Sequence, residues 1–316
     1  MSTPRSVLID TDVASDDWMA ILYLLRHSDV SVKAITVTGT GEAHSEPGAR
    51  TSLGLLALAG QPDVPVAMGS ETPLGVGHAF PDFIRDMVDS AMGIPLPPSP
   101  WEPVNQDAVA FLTLFLQDSP QKAVILALGP LTNLAQAFQA APSLVERVEM
   151  LYVMGGAVDV PGNIFEAGGQ QHDNVAEWNI YCDPYAAKIV FHSGVPITLV
   201  PLDATNQAPT TMRFYRRMEQ DRGTPEAEFV FQILLKSREF IPGGRMYFWD
   251  PLTAAILTDE SLATIEQRTL TVVADEGRQS GRTLETDDGA SVRLCTAVDS
   301  ARFEELFLDV LNGRPL

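Results

Sequence analysis

Apolar residues in this chain come in short unbroken runs, separated by stretches in which they recur every three or four positions. Val7-Leu8-Ile9 is the first run and reads as a buried strand, and Trp18 to Leu25 then follows the spacing of a helix. The alternation repeats. Val32 to Thr38 is rich in β-formers, residues 48–60 are helical in pattern, and Val64 to Met68 is a short strand. Ala123 to Leu128, Val148 to Met154 and Pro196 to Val200 are further runs, the last of them the final clear strand of parallel type. Between them, Gly129-Pro130-Leu131-Thr132-Asn133-Leu134-Ala135 turns into a helix, and Asp183-Pro184 opens another through about Phe191. Continuous apolar strands alternating with helices predict an α/β fold. Its core is an open, mostly parallel, Rossmann-like sheet with helices on both faces.

Other stretches interrupt the alternation. Residues 70–103 carry ten Gly and Pro residues interspersed with Phe80, Phe83 and Trp101. Aromatic side chains need somewhere to pack, so this is an ordered excursion with the character of a lid rather than a linker. A helix is expected over 104–117, and a loop over 157–175 contains Asn163. Residues 206–248 are mainly helical up to Gly243-Gly244, and a short helix is expected near 252–258. A small late strand pair, 268–274 and 290–297, flanks the charged stretch 275–289, before a last helix over 299–311. No repeat and no boundary divides the chain, which predicts one elaborated domain over 1–316.

The composition narrows the class. Apolar residues make up 45% and charged residues 20%, ordinary for a globular enzyme. Twenty-one basic residues stand against 41 acidic ones, for a formal charge of -20. That balance disfavours nucleic acid and anionic membrane as partners and favours recruitment of cations. Two distant cysteines, Cys182 and Cys295, fit reduced thiols better than a disulfide. With no signal-like leader and no run approaching a membrane span, a cytoplasmic location is expected.

The candidate chemistry is concentrated after the first strand. Asp10, Asp12, Asp16 and Asp17 place four carboxylates within eight residues. At close range they repel, and each is costly to desolvate alone. A hard cation, Ca2+ or Mg2+ rather than zinc, relieves both costs. A phosphoryl-transfer site is one alternative, and helix capping by Asp16 or Asp17 within a solvated acidic turn is another. Ligands of open parallel sheets gather outside the carboxyl ends of the strands. That rule groups the aspartates with Thr132, Met154, Asn163, Glu177, Asn179 and Asp250, an oxygen-rich set suited to a cation and sugar hydroxyls. Glu42 and His44, in the loop after the second strand, lie on the same rim.

In combination these segments resemble the nucleoside hydrolase family. The resemblance is carried by Asp10-Thr11-Asp12-Val13-Ala14-Ser15-Asp16-Asp17, Leu128-Gly129-Pro130-Leu131-Thr132-Asn133-Leu134-Ala135 and Val153-Met154-Gly155-Gly156. Ala176-Glu177-Trp178-Asn179-Ile180, Asp183-Pro184-Tyr185-Ala186-Ala187 and Trp249-Asp250-Pro251-Leu252 continue it in family order over most of the chain. It implies Ca2+-dependent hydrolysis of the N-glycosidic bond of a ribonucleoside, giving base and ribose, by a homodimer or homotetramer. It assigns Ca2+ to Asp12, Asp17, the backbone carbonyl of Thr132 and Asp250, with Asp10 orienting them from behind. Asp12 is the implied general base toward a Ca2+-bound water. Asp16 and Asn179 would hold the 2′- and 3′-hydroxyls, Asn163 and Glu177 the 5′-hydroxyl, and Met154 would line the sugar pocket.

The chain departs from the family pattern in places. Gly41 falls near a position where many members have Asn, leaving Glu42 or His44 as replacements. Val13-Ala14 replaces a Pro-Gly pair, and extra sequence before Glu177 makes Asn174 a rival to Asn163. Trp249 stands where less base-specific members carry His. Together with Trp178 it resembles the purine-preferring inosine–adenosine–guanosine subgroup, which implies a purine nucleosidase of purine catabolism. Trp249 would then stack on the base, with Phe80 or Phe83 on its other face and His44 as a further contact. Two other readings stand beside this one. One is a haloacid-dehalogenase-like phosphatase, suggested by Asp10-Thr11-Asp12-Val13. The other is a Ca2+-dependent nucleoside-binding protein without turnover.

Overall fold

A computed structural model describes residues 4–75, 77–164 and 172–315. Part of the loop expected over 157–175, residues 165–171, lies outside the described residues, as does residue 76 of the excursion.

The chain runs through β1 (Arg5–Thr11), α1 (Ser15–Arg26), β2 (Val30–Val37), α2 (Ser45–Leu58), β3 (Val66–Met68), α3 (Asp82–Asp89) and α4 (Ala108–Asp118). It continues with β4 (Ala123–Ala127), α5 (Thr132–Ala140), β5 (Val148–Met154), α6 (Trp178–Cys182), α7 (Pro184–His192), β6 (Ile197–Val200) and α8 (Leu202–Thr205). The last third comprises α9 (Met212–Gln220), α10 (Pro225–Lys236), α11 (Trp249–Thr258), β7 (Ala263–Val272), β8 (Thr283–Glu285), β9 (Ala290–Val298) and α12 (Ser300–Leu311). Among the described residues no helix is long and apolar enough to cross a membrane.

The nine strands form one sheet in the order β3-β2-β1-β4-β5-β6-β9-β7-β8. Strands β1 to β6 pair in parallel. Successive strand residues face opposite sides, so the sheet feeds two cores. Val7, Ile9, Val124, Leu126 and Tyr152 enter the larger core with α1, α2, α10, α11 and α12. Leu8, Ile125, Ala127, Leu151 and Val153 enter the other, with α4, α5 and α7. This is the doubly covered, mostly parallel α/β architecture that the pattern predicts. The order reverses between β1 and β4, and at such a point the loops above the sheet part to leave a crevice.

Several boundaries differ from expectation, each for a local reason. Helix α4 starts at Ala108, later than 104, because Asp107 caps it by accepting the Ala110 N–H at 2.9 Å. The excursion over 70–103 contains α3, followed by Ala91, Met92 and Gly93 in the left-handed region at φ 48°, 54° and 67°. β6 is not the last parallel strand, since β9 pairs with it in parallel while running antiparallel to β7. The expected late pair is three strands, β8 adding to β7 at the sheet edge.

Candidate functional site

The crevice above β1 and β4 is a cavity open to solvent. Its wall includes Asp12, Asp16, Asp17, Glu42, Glu177 and Asp250, with Leu128, Met154, Asn163, Asn179, Phe80, Trp178 and Trp249. Six of these residues are acidic, and none is Arg or Lys.

Local structure explains why the acids converge. β1 ends at Thr11, and Val13 then takes a left-handed turn at φ 59°, rare for a β-branched residue. That turn delivers the chain into α1 with Asp16 and Asp17 in its first turn. The Thr11 hydroxyl donates to Asp17 Oδ1 and accepts the Val13 N–H at 2.9 Å, so one side chain ties the turn to the acid. Trp18 Nε1 donates to the Val13 carbonyl at 2.6 Å and braces the turn from the core. From the far side of the chain, α11 brings Asp250 in on its own first turn.

Carboxylate oxygens of Asp16, Asp17 and Asp250 lie within 4.8 Å of one another. Burial, then the charges of Asp12 and Asp16, pushes the Asp17 carboxyl well above the ordinary range. Burial and the neighbouring aspartates do the same to Asp250. Burial, then the Asp12 charge, raises Asp16 to about 7. Asp17 Oδ2 and Asp250 Oδ1 are buried without a hydrogen-bond partner. Unpartnered buried acceptors in one cluster, with no basic side chain among the described residues of the wall, fit a hard divalent cation. The resemblance had placed Asp12 in this trio, with Asp16 on the sugar; the geometry draws Asp16 in.

Asp12 lines the same cavity. Its Oδ2 accepts the Glu42 N–H at 2.9 Å, and its carbonyl accepts the Ala43 N–H at 3.0 Å. Burial raises it to about 6, against the lowering effect of the Glu42 N–H. The contact requires Gly41, where a Cβ would fall 2.0 Å from Asp12 Oδ2. Asp10 is buried behind, not on the wall. Its Oδ1 accepts from Thr36 Oγ1 at 2.6 Å and Asn133 Nδ2 at 2.9 Å. Burial raises it to about 6.

Glu177 is the N-cap of α6, accepting the N–H groups of Asn179 at 2.8 Å, Gly156 at 2.9 Å and Ile180 at 3.2 Å. The residue therefore caps a helix and lines the cavity as well. Burial raises it to about 7 despite those three donors. Asn179 Nδ2 donates to the Leu128 carbonyl at 2.9 Å and the Met154 carbonyl at 3.2 Å. Asn163 Oδ1 accepts the Trp178 N–H at 3.1 Å. Phe80, from the excursion, stacks on Trp178 at 4.3 Å. Trp249 packs against the larger core with its ring centroid 5.6 Å from that of Tyr247.

Three expected residues are not on the wall. Thr132 is fully buried in the first turn of α5, with its hydroxyl bonded to Thr40 at 2.9 Å and Asp183 at 2.8 Å. The residue of that segment that reaches the cavity is Leu128, directly after β4. Its position at a strand's carboxyl end was the available signal. Phe83 is 71% exposed on the outer face of α3. His44 is exposed beside α2, its Nδ1 paired with Asp89 at 2.6 Å. Glu42 and Trp178, in segments noted from sequence, both reach the wall.

Comparison with known proteins agrees with this architecture. A family profile described as inosine-uridine preferring nucleoside hydrolase matches residues 7–305. A pyrimidine-specific ribonucleoside hydrolase, RihA, from Shigella boydii is 31% identical over 97% of this chain and 98% of its own. A plant nucleoside hydrolase structure superposes with TM-score 0.87 at 29% identity, covering 98% of this chain and 99% of that one. A purine-preferring ribonucleoside hydrolase from Gardnerella vaginalis superposes with TM-score 0.83 at 26% identity, over 98% of each. The pyrimidine-specific relatives overturn the expected placement in the purine-preferring subgroup, and with it the reading as a purine nucleosidase of purine catabolism. That expectation rested on Trp178 and Trp249. Both rings line the cavity and also pack against protein.

Proposed function

We propose, from the premise that this chain belongs to the inosine-uridine preferring nucleoside hydrolase family, that it hydrolyses the N-glycosidic bond of ribonucleosides to base and ribose with Ca2+ bound among its buried aspartates. The observation that carries this is the set of buried oxygens on Asp17 and Asp250 that have no partner among the described residues, beside Asp16 in a cavity whose described wall carries no Arg or Lys. Asp16, Asp17 and Asp250 would hold the ion, with the neighbouring Leu128 carbonyl a further oxygen on that wall. When bound, Ca2+ supplies positive charge that orients the sugar diol and acidifies a water.

The residues of the chain supply the rest. Asp12, held by the Glu42 N–H, stands as acceptor for the proton of an attacking water. Asn179, fixed by two carbonyls, and Asn163, fixed by the Trp178 N–H, present amides to the ribose hydroxyls. Glu177 joins them at the 5′ side. As the glycosidic bond stretches, positive charge develops at C1′ and the ring oxygen. The pocket carboxylates stabilise that charge more than the neutral ground state. Phe80 and Trp178 form an aromatic wall, and α3 with its flanking loops would act as a lid that excludes water.

The family match leaves the phosphatase reading without support. The test is release of base and ribose from uridine, cytidine, inosine, adenosine and guanosine, with Ca2+ and after chelation. Pyrimidine ribonucleosides come first, because full-length relatives carry that specificity in their names. Turnover that disappears on chelation and returns with Ca2+ supports the reading. Calcium-dependent binding without release of ribose would leave a binding protein instead.

A further inference from the structure

The turn between β7 and β8 starts at the edge of the sheet and reaches back toward the cavity. Ser280, on that turn, is completely buried. Its carbonyl accepts from His172 Nε2 at 2.9 Å, and its hydroxyl is hydrogen-bonded to His78 Nε2 at 3.1 Å. His172 Nδ1 accepts the Asn174 N–H at 3.1 Å, so both nitrogens of that ring are engaged. The turn is pressed onto α6 beside this serine. Gly281 has φ 80°, and a Cβ there would lie 2.8 Å from Tyr181 Cα. One serine thus joins two segments that come to the cavity from different parts of the chain.

Each segment leads to residues of the wall. His78 lies on the excursion two residues before Phe80. Its ring stacks on Tyr181 at 3.8 Å and 4°, and its N–H donates to the Cys182 carbonyl at 3.2 Å. Tyr181 meets Trp178 edge-on at 5.7 Å, and Trp178 in turn stacks on Phe80. The segment after His172 supports Asn163. The Asp173 N–H donates to the Arg278 carbonyl at 2.9 Å, Ala176 bridges to Arg282, and the Ala176 carbonyl accepts the Asn163 N–H at 3.1 Å. A wall residue is held to its working position by bonds of this kind beneath it.

Facing His78 are Tyr181 of α6, His172 of the neighbouring loop, and Ser280 with the charge of Glu276 from the turn. Asp173, beside His172, is paired with Arg278 at 2.7 Å. Burial, then His172, lowers His78, against the raising effect of Glu276. The bonded arrangement is therefore complete above the ordinary histidine value of ~6.5, and it weakens as pH falls through the lowered one.

We propose that Ser280 is a positioning residue for nucleoside hydrolysis, clasping the excursion to the loop behind Asn163 through His78 and His172 and so setting where Phe80 and Trp178 stand on the wall. This inference rests on the nucleoside hydrolase reading above.

The experiment uses the calcium-loaded full chain, with Ser280→Ala and with His78→Phe, which keeps a ring on Tyr181 but cannot titrate. Uridine turnover is measured beside hydrogen exchange read by mass spectrometry. Loss of one hydrogen bond that places the wall predicts a KM for uridine raised about 3–10-fold in Ser280→Ala, with kcat within about twofold of wild type. Exchange should quicken in the segment carrying His78 and Phe80 and stay unchanged in α1 and α11. In wild type, protection of that segment, corrected for the intrinsic rate, should fall about 3–10-fold from pH 7.5 to pH 5.5, and in His78→Phe it should not. An unchanged KM in Ser280→Ala overturns the proposal. Faster exchange throughout the molecule with kcat and KM both impaired also overturns it, and makes Ser280 a structural residue. The same pH response in His78→Phe as in wild type overturns the part assigned to His78. A wild-type protein that turns over no ribonucleoside overturns the parent reading and this one with it, whereas an active wild type with unaltered variants overturns this one alone.

Discussion

The acids above β1 and β4 and those at the far, antiparallel edge of the sheet are the same two residue types in opposite circumstances. At the edge, Glu260 receives Arg293 Nη1 at 2.9 Å and Nη2 at 2.7 Å, with the Tyr152 hydroxyl at 2.7 Å. The Arg293 bonds hold its carboxyl below the usual range. The Ser261 hydroxyl, with Arg302 beside it, does the same for Asp259, and Arg268 pairs with Glu285 at 2.7 Å. Among the described residues no arginine or lysine on the cavity wall answers its six acids, and burial drives Asp12, Asp16 and Glu177, with Asp10 behind them, up to about 6 or 7. The edge is neutralised by the chain itself; the cavity is neutralised by protons or by a cation from solution. One region serves stability, and the other gives up stability for a cluster of aspartates that could hold a metal ion.

The sharpest way to break this contrast is Asp250→Asn. Turnover should fall by about 10²–10³-fold, the scale of losing one preorganised charged group. Removing a buried like charge should at the same time leave the melting temperature of the calcium-free protein unchanged or higher. A lower melting temperature in calorimetry would make Asp250 a structural residue.

Next in size is Gly41→Ala, which alters no charge. Its Cβ would displace Asp12, and a misplacement of about 1 Å is expected to cost on the order of 10²-fold in kcat. Wild-type kcat in this variant would show that the position of Asp12 does not matter to turnover.

The third prediction is a pH dependence of opposite sign in the two regions. The cavity acids have raised folded values, so between pH ~4 and ~7 the folded state holds more protons than the unfolded one. The calcium-free protein should therefore lose stability as pH rises through that window, with a higher melting temperature at pH 5.5 than at pH 8. Added Ca2+ should raise the melting temperature more at pH 8 than at pH 5.5. Glu260 and Asp259 run the other way. Their stabilisation is present above their unfolded values and is lost as pH falls through the lowered folded ones, outside the comparison window. Equal melting temperatures at the two pH values in chelator would sink the contrast.

The smallest effect is expected for Arg293→Met. Its guanidinium is partly exposed, so the pair with Glu260 contributes no more than about 1 kcal/mol. Denaturant titration should show that small loss with turnover unchanged, and a loss of activity would mean that the two regions are coupled.

Much of the site was legible because it depends on short segments. Asp10 to Asp17 sit within one strand-to-helix turn, so their proximity needed no tertiary information. The rule that ligands gather at strand carboxyl ends brought in Met154, Asn163, Glu177, Asn179 and Asp250, all of which the structure places on the wall. Direction was harder to read. Leu128 and Thr132 lie four residues apart in one turn, and only the start of α5 shows that Thr132 is enclosed by the helix while Leu128 faces the cavity. Phe80 and Phe83 look alike in sequence, yet Pro81 as N-cap leaves Phe80 beneath Trp178 and turns Phe83 to solvent.

By itself the sequence determined the alternation of buried strands and helices, the acidity of the first turn and the oxygen-rich character of the ligand set. Those properties follow from hydrophobic period and local charge, which act over a few residues. Tertiary structure decided which carboxylates meet, because Asp250 reaches Asp17 only when α11 packs beside α1. It also decided that Glu42 faces the cavity while His44 faces away, since α3 grips their loop from outside. Contacts between segments distant in the chain depend on how whole elements pack, and no local pattern encodes that.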